Sequence, residues 1–489
     1  MKQFHMKLIQ NKHTKRLIEL LSYLVNTQYP ITLMTLSNKM DVSVRTLQKD
    51  LVLLREAIPK DWELKGKTNK GYTLDYPNEE SLSIIKKEIL SDELLFIIIN
   101  GIYNDDYLSV QEWSDRLYIS EYSLLRMLNP LKKLLKEHHL TLSLSPLTFR
   151  GEEVDIRYFF FSYFYDASTT PHMSVPSKKI EEFYSKIMDD LETESKLKPI
   201  IQFHKTTYWI MIILQRIKNK HFVELNEQLI HEQKENEFYP EFEHIWLKFK
   251  TTFKVDFPDD EIVFISLLNI NNYYFDWDLL TSTTSVLNNL PSDSDLDILL
   301  LDLTKQFTIN PELTQNILFA YKAYIKNTIH ITKLSSLFQR NSWELNEYVN
   351  FEHGYTLTTC LNFITSNSFF KTNNLLCYPN DLAVNLALIT AAHINQQAYS
   401  NKSVLFVLEG TQFFLLYLQV KAQRFAAHGV TLHFISSEYI TPKLISKLNI
   451  DLIIVNYDVF KLEIEIPIIK VSAIPTENDW DVISSVILK

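Results

Sequence analysis

Asp41-Val42-Ser43-Val44-Arg45-Thr46-Leu47-Gln48-Lys49-Asp50-Leu51 decides how this chain is read. Ser43 suits a helix N-cap, because its hydroxyl can accept a backbone N–H that has no partner inside the helix. Val44, Leu47, Leu51 and Leu54 then share one helical face, and Arg45, Thr46, Gln48 and Lys49 share the other. An apolar back on a core and a front of donors is what a helix needs to enter a DNA major groove. Upstream, Leu17, Leu20, Leu21 and Leu24 mark a helix over 13–26 that stops at Tyr29-Pro30. Thr32 caps a short second helix carrying Leu33, Leu36 and Met40.

Downstream, residues 62–74 alternate around a Lys/Gly/Asn turn, which predicts a hairpin. Lys65, Lys67 and Lys70 lie near its tip, where a wing beside a recognition helix would reach phosphates. Residues 1–76 hold 13 Lys and Arg against 7 Asp and Glu, a net of +6 in a chain whose net charge is −10. A basic head on an acidic body predicts that the head meets a polyanion. In order and in the Val-Ser-Val-Arg-Thr-Leu-x-x-Asp-Leu string, this head resembles the winged helix domains of bacterial repressors and sugar-regulated antiterminators.

The pattern repeats 77 residues on. Residues 81–100 are expected to form one apolar-rich helix, and Leu108-Ser109-Val110 to enter a short helix with Trp113 and Leu117. Tyr118-Ile119-Ser120-Glu121-Tyr122-Ser123-Leu124 parallels residues 41–47, with Ser120 as cap and Leu124 and Leu128 on the core. Tyr122, Ser123 and Arg126 take the DNA-facing places, and residues 140–144 and 148–151 suit a second wing. Pro130 falls inside the pattern and predicts a bend. Residues 81–151 carry 8 basic and 9 acidic side chains, so this copy is the weaker phosphate binder.

The chain has 489 residues, enough for about three domains or more. Apolar residues make up 46% and charged residues 22%, an ordinary globular balance. Seven glycines argue against many phosphate-binding Gly loops or tight hairpins. Two cysteines, Cys360 and Cys377, make neither a disulfide framework nor a metal cluster, which fits a cytoplasmic address. No signal peptide and no run of about 18 apolar residues is evident, so no membrane is expected.

The aromatic face of the helix over 152–165 (Phe159, Phe160, Tyr163, Phe164) reads as core. Beyond a Pro- and Ser/Thr-containing linker at 167–178, two similar helical stretches are separated by a second linker at 290–295. Asn310-Pro311-Glu312 and Tyr378-Pro379-Asn380-Asp381 open helices in the second stretch. From Ser403 onward, short apolar strands alternate with helices, which predicts a small parallel sheet.

Two winged helices, two helical repeats and a terminal α/β unit together resemble the PRD-containing, Mga/AtxA-like virulence regulators of Gram-positive bacteria. The resemblance covers the whole chain. It implies a mainly α, multidomain fold: a winged helix-turn-helix at 1–76, a Mga-type helix-turn-helix at 77–166, and PRD-like helical domains at 167–288 and 289–398. The α/β domain at 399–489 resembles phosphotransferase component IIB and is expected to mediate dimer formation. The implied function is a DNA-binding transcription regulator, an activator of virulence or metabolic genes. The implied partners are duplex DNA, a second copy of the chain and the sugar phosphotransferase phosphocarrier, with no cofactor.

In such regulators, phosphate on PRD histidines changes assembly. Here the usual acceptor positions fall at Tyr208-Trp209, near Leu268 and near Phe319. His204, a few residues earlier, and His393, near the end of the second repeat, are the remaining candidates for regulatory phosphorylation. The IIB-like loop reads Glu409-Gly410-Thr411 and lacks the acceptor cysteine, so no phosphotransfer is expected there. The competing readings are an RNA-binding antiterminator of the PRD type and a phosphotransfer system component. The chain has no HExxH, no CxxC pair and no Gly-x-Ser-x-Gly, and no enzyme is expected.

Overall fold

A computed structural model describes residues 3–26, 29–67, 71–76, 79–165, 170–171, 174–194, 203–235, 239–270, 294–307, 314–394, 403–425, 430–435, 440–457 and 466–487. It divides into two compact units, Met1–Pro176 with Pro475–Asp481, and Ser177–Ile474 with Val482–Lys489. The tip of the first hairpin, most of the linker at 290–295 and the expected helix start at Asn310-Pro311-Glu312 lie outside the described residues.

In the first unit, a short helix α1 (Gln3–Met6) precedes α2 (Lys12–Val25), α3 (Leu33–Met40) and α4 (Val44–Ala57). Strands β1 (Glu63–Lys67) and β2 (Gly71–Asp75) follow, then α5 (Glu79–Ile89). Leu17, Leu20, Leu21, Leu36, Leu47, Leu51 and Leu54 form one core with Trp62, Leu64, Tyr72 and Leu74 of the hairpin. That burial fixes the angle between recognition helix and wing. The backbone of Ile31 exchanges hydrogen bonds with Tyr72 at 3.0 and 2.8 Å, so the hairpin is also held from the α2–α3 loop. Gly71 makes this approach possible: at φ +88°, a Cβ would lie 2.8 Å from the Pro30 carbonyl carbon.

Residues 81–100 do not form one helix. The chain breaks after α5 and restarts as α6 (Leu94–Tyr103). Leu82 and Ile85 of α5 join the core of the first motif, so α5 closes that motif and α6 opens the next. Glu93, buried at the break, accepts the amides of Gln10 at 2.8 Å and Asn11 at 3.2 Å, just ahead of α2. A long-range capping role thus replaces the helical turn that the local pattern favoured. Burial raises the pKa of this carboxyl, and the two amides partly offset the rise.

The second motif comprises α6, α7 (Val110–Arg116), α8 (Glu121–Met127), α9 (Asn129–Lys136), and β3 (Thr141–Leu144) paired antiparallel with β4 (Leu147–Arg150). Pro130 does not bend a helix. It stands in the first turn of α9, where a missing N–H costs nothing, and so marks a start. Trp113 is fully buried against Gly101, where a Cβ would come within 2.5 Å of the indole. Helix α10 (Glu153–Tyr165) sends Phe159, Phe160, Tyr163 and Phe164 into the core beside Tyr103 and Phe149. The aromatic stripe is therefore packing.

The second unit begins with α11 (Lys178–Glu194), α12 (Phe203–Lys218), α13 (Glu227–Lys234), α14 (Tyr239–Phe253) and α15 (Asp259–Ile270). It continues with α16 (Ser294–Thr304), α17 (Thr314–Thr332), α18 (Trp343–Ser366), α19 (Ser368–Thr372) and α20 (Pro379–Ile394). Strand β5 (Ser403–Val407), α21 (Gln412–Phe425), β6 (Thr431–Ile435), α22 (Pro442–Leu448), β7 (Leu452–Val455) and β8 (Ile468–Lys470) complete the unit. A last helix, α23, spans Glu477–Ile487. The four strands are all parallel, in the order β6-β5-β7-β8. The central strands β5 and β7 are buried, as a sheet covered by helices requires. Among the described residues, no helix is long and apolar enough to cross a membrane.

Helix α18 is broken at His353, whose backbone leaves the helical region at φ −135°, ψ 31°. Its ring lies 5.0 Å from Tyr417, and its buried Nε2 has no hydrogen-bond partner among the described residues. Tyr417, Tyr348, Lys421 and Glu352 form a polar chain beside it. Burial, with Lys421 and Arg424 nearby, lowers the His353 pKa to about 4. An unfolded histidine titrates at about 6.5, so between these values the unfolded chain binds a proton that the folded chain does not. Stability should therefore fall as pH drops through that window. Thermal unfolding from about pH 7 to about pH 5 checks this, with a shallower decline expected for His353→Gln. Equal declines would exclude His353 as a contributor.

Candidate nucleic-acid interface

Each recognition helix starts at a serine cap. Ser43 Oγ accepts the Thr46 amide at 3.1 Å, and Ser120 Oγ accepts the Ser123 amide at 3.2 Å. The preceding helices are capped by Thr32 and by Ser109, the latter in a reciprocal box with Glu112. These caps fix where α4 and α8 begin, and thereby which side chains face outward.

On α4, Arg45, Gln48 and Lys49 are exposed. Thr46 is half-buried, and its hydroxyl lies 2.8 Å from that of Ser43, so its oxygen serves the cap. Beneath this face, Asp50 is 1% exposed. Arg16 of α2 donates to both its oxygens, at 2.8 and 3.0 Å, and His13 Nδ1 lies 3.0 Å away. This bidentate pair ties α4 to α2 across 34 positions of sequence. The hairpin departs from expectation at Lys65, which is paired with both Glu63 and Asp75. These carboxylates hold its pKa above the ordinary value and offset the charge that was expected to reach phosphate. Lys67 ends β1. Its side chain, and all of Lys70, lie outside the described residues.

On α8, Tyr122, Ser123 and Arg126 are exposed, and Leu124 and Leu128 are fully buried. Ser123 Oγ lies 2.9 Å from Ser120 Oγ, repeating the hydroxyl pair of the first motif. The adjacent Arg116 is paired with Asp106 at 2.7 Å and lies over Trp113, so it belongs to the motif's own packing.

A second candidate region lies at the C-terminal edge of the parallel sheet. The strand order places a switch point between β5 and β7, where open α/β sheets take ligands. Here the loops after these strands hold each other. Asn456 accepts the Glu409 amide at 2.7 Å and donates to the carbonyls of Glu409 at 2.7 Å and Ala473 at 3.1 Å. The start of α12 lies against the same edge, with the His204 ring stacked on Tyr457 at 5.4 Å. Burial lowers the Lys205 pKa to about 8, against the opposing pull of Glu409. His393 falls on α20, and its side chain lies outside the described residues.

Comparison with known proteins bears on both motifs. Residues 78–164 match the model of the Mga helix-turn-helix domain, and residues 16–73 match that of an HTH domain. Over 484 residues the chain is 23% identical to the capsule synthesis positive regulator AcpB of Bacillus anthracis, covering 96% of this chain and 97% of that one. It is 24% identical over 498 residues to the anthrax toxin expression trans-acting positive regulator of the same organism, covering 98% and 99%. The chain is thus similar over nearly its whole length to these two regulators, and its matched segments are helix-turn-helix domains, one of them the Mga type. It is also similar to the probable licABCH operon regulator of Bacillus subtilis, 23% identical over 277 residues, covering 52% of this chain and 43% of that one.

The matched segments enclose α4 and α8 with their caps, so the regions singled out for their donors lie within the segments that match helix-turn-helix domains. The residues that sequence reasoning missed act over distance. Asp50 with Arg16, Glu93 with residues 10 and 11, and Asn456 with Glu409 are separated by 34 to 83 positions. A charged residue on an otherwise apolar helical face, as Asp50 is, was the one available signal.

Proposed function

We propose that this protein is a cytoplasmic DNA-binding transcription regulator that activates its targets and is not an enzyme. The observation that carries this reading is the outward face of α4, where Arg45, Gln48 and Lys49 stand exposed behind a satisfied cap. Guanidinium, amide and ammonium donors on one helical face suit base edges and phosphates. The full-length relatives named as positive regulators support activation over repression. In this reading, regions 1–76 and 77–166 face DNA, 167–288 and 289–398 receive a signal, and 399–489 joins two copies.

The signal we propose is phosphate from the sugar phosphotransferase phosphocarrier, with His204 as first acceptor and His393 as second. His204 suits the role through its surroundings. A phosphoryl group there adds about −1.5 to −2 charges against the Tyr457 ring and near Glu181, with Lys205 adjacent. Such a charge would alter how α12 lies on the sheet edge.

The test is salt-dependent binding of the full chain to genomic promoter duplexes and matched RNA, before and after treatment with the phosphocarrier and its phosphate donor. A steep salt slope on duplex DNA and weak RNA binding are expected. Equal or tighter RNA binding would favour the antiterminator reading. DNA binding that phosphate leaves unchanged would remove the phosphotransferase from the account.

A further inference from the structure

The two helix-turn-helix motifs correspond residue for residue at a spacing of 77, which pairs Asp41 with Tyr118. Both residues follow the first helix of the turn in the left-handed region, at φ 51° and φ 54°. The next amide closes the same loop in each motif, Val42 to the Ser37 carbonyl at 3.1 Å and Ile119 to the Ser114 carbonyl at 3.0 Å. This is the Schellman-type helix stop, whose left-handed position favours glycine or asparagine. Aspartate tolerates it, but a bulky side chain there crowds the following carbonyl. Among the described residues, Tyr118 is the largest side chain at positive φ.

Packing does not offset that strain, because Tyr118 is 96% exposed. The fold would close this turn better with asparagine, so the phenol is held out at a cost in stability. A strained, displayed side chain of this kind points to contact with something else. It stands three positions before α8, which carries Tyr122, itself 77% exposed, and Arg126 on the same face. In the first motif the places of Tyr122 and Arg126 belong to Arg45 and Lys49. The second motif thus keeps a cation at Arg126 but presents phenols at Tyr122, where the first has Arg45, and at Tyr118, where the first has Asp41.

We propose that Tyr118 is a DNA-contacting residue, its ring against a deoxyribose and its hydroxyl donating to a phosphate oxygen, next to Tyr122. This rests on the reading of the second motif as DNA-facing. Neutral donors are established partners of phosphate. They let a motif without net positive charge hold the backbone without releasing counterions.

The test uses the full chain with Tyr118→Asn and Tyr118→Phe, titrated over a salt series on a duplex that the parent chain has selected from random-sequence DNA. Tyr118→Asn should melt at or above the parent's temperature, because asparagine accepts the left-handed turn. It should bind about tenfold more weakly with an unchanged salt slope, since no cation is removed. Tyr118→Phe should lose part of this affinity. Parental affinity in Tyr118→Asn, or a lower melting temperature, would overturn the proposal. Weaker self-association with intact DNA binding would overturn it in favour of a contact between copies. If the parent selects no duplex, the DNA reading itself fails and takes the proposal with it, and the parent arm alone reveals this.

Discussion

Full-length protein carrying Arg45→Ala and Lys49→Ala is expected to bind duplex DNA about a hundredfold more weakly or worse, with the fold intact. Both side chains are exposed, one helical turn apart on α4, so their removal uncovers no core. A guanidinium or ammonium on a base edge is worth about 1–3 kcal/mol, and two such losses multiply to roughly that factor. If both contact phosphates, the slope of log affinity against log salt becomes shallower by about two, close to 0.9 per phosphate. Gln48→Ala is the informative companion. It removes no charge, so it should leave the slope alone and relax sequence preference. Unchanged affinity and unchanged slope in the double variant, with unaltered helical content, would remove α4 from the interface.

The caps that frame this interface were legible because a cap is a local device. Ser43, Thr32 and Ser120 each announce themselves within three residues of the amides they satisfy. The parallel sheet was legible for a similar reason: Val404–Val407 and Leu452–Val455 are apolar throughout, as strands buried on both faces must be. The places where the pattern misled are those where a distant partner outweighs the local preference. Helical periodicity continues through residues 90–93, yet Glu93 is drawn to the amides of Gln10 and Asn11, and the helix breaks. Lys65 reads as a free wing lysine until Asp75, ten residues on, is folded across from Glu63 by the hairpin register.

The same distinction separates the two halves of the functional reading. DNA recognition is written in short motifs, and residues 16–73 and 78–164 carry it visibly. The control proposed above is not, because it would depend on which surfaces the helices of the second unit present. That His204 stacks on Tyr457, some 250 positions away, at a sheet edge closed by Asn456 could come only from the fold. A histidine in sequence is a candidate. A histidine against an aromatic ring, with Glu181 in electrostatic reach, has a defined response to added charge.

The second large effect should come from Asp50→Ala, which leaves Arg45, Gln48 and Lys49 in place and removes what holds their helix. Asp50 is 1% exposed and accepts from Nε and one terminal nitrogen of the Arg16 guanidinium, at 2.8 and 3.0 Å. Deleting one member of a buried pair costs about 3–5 kcal/mol, because the other charge stays behind without its partner. Arg16 keeps 25% of its side chain in water, which places the expected loss near about 3 kcal/mol, the lower end of that range. A chain with several domains does not unfold in one step, so the readout is local: hydrogen exchange of the α2 and α4 amides. Protection there should fall while that of the second unit does not, and DNA affinity should fall with it. The charge-removing pair Arg16→Met with Asp50→Leu separates the explanations. If the ion pair only anchors α4 to α2, an apolar pair of similar volume should restore most of the protection, as replaced buried pairs commonly do. DNA binding should then return with it, since Arg45, Gln48 and Lys49 are untouched. Full protection and full affinity in Asp50→Ala alone would show that the leucine core holds the recognition helix without this pair.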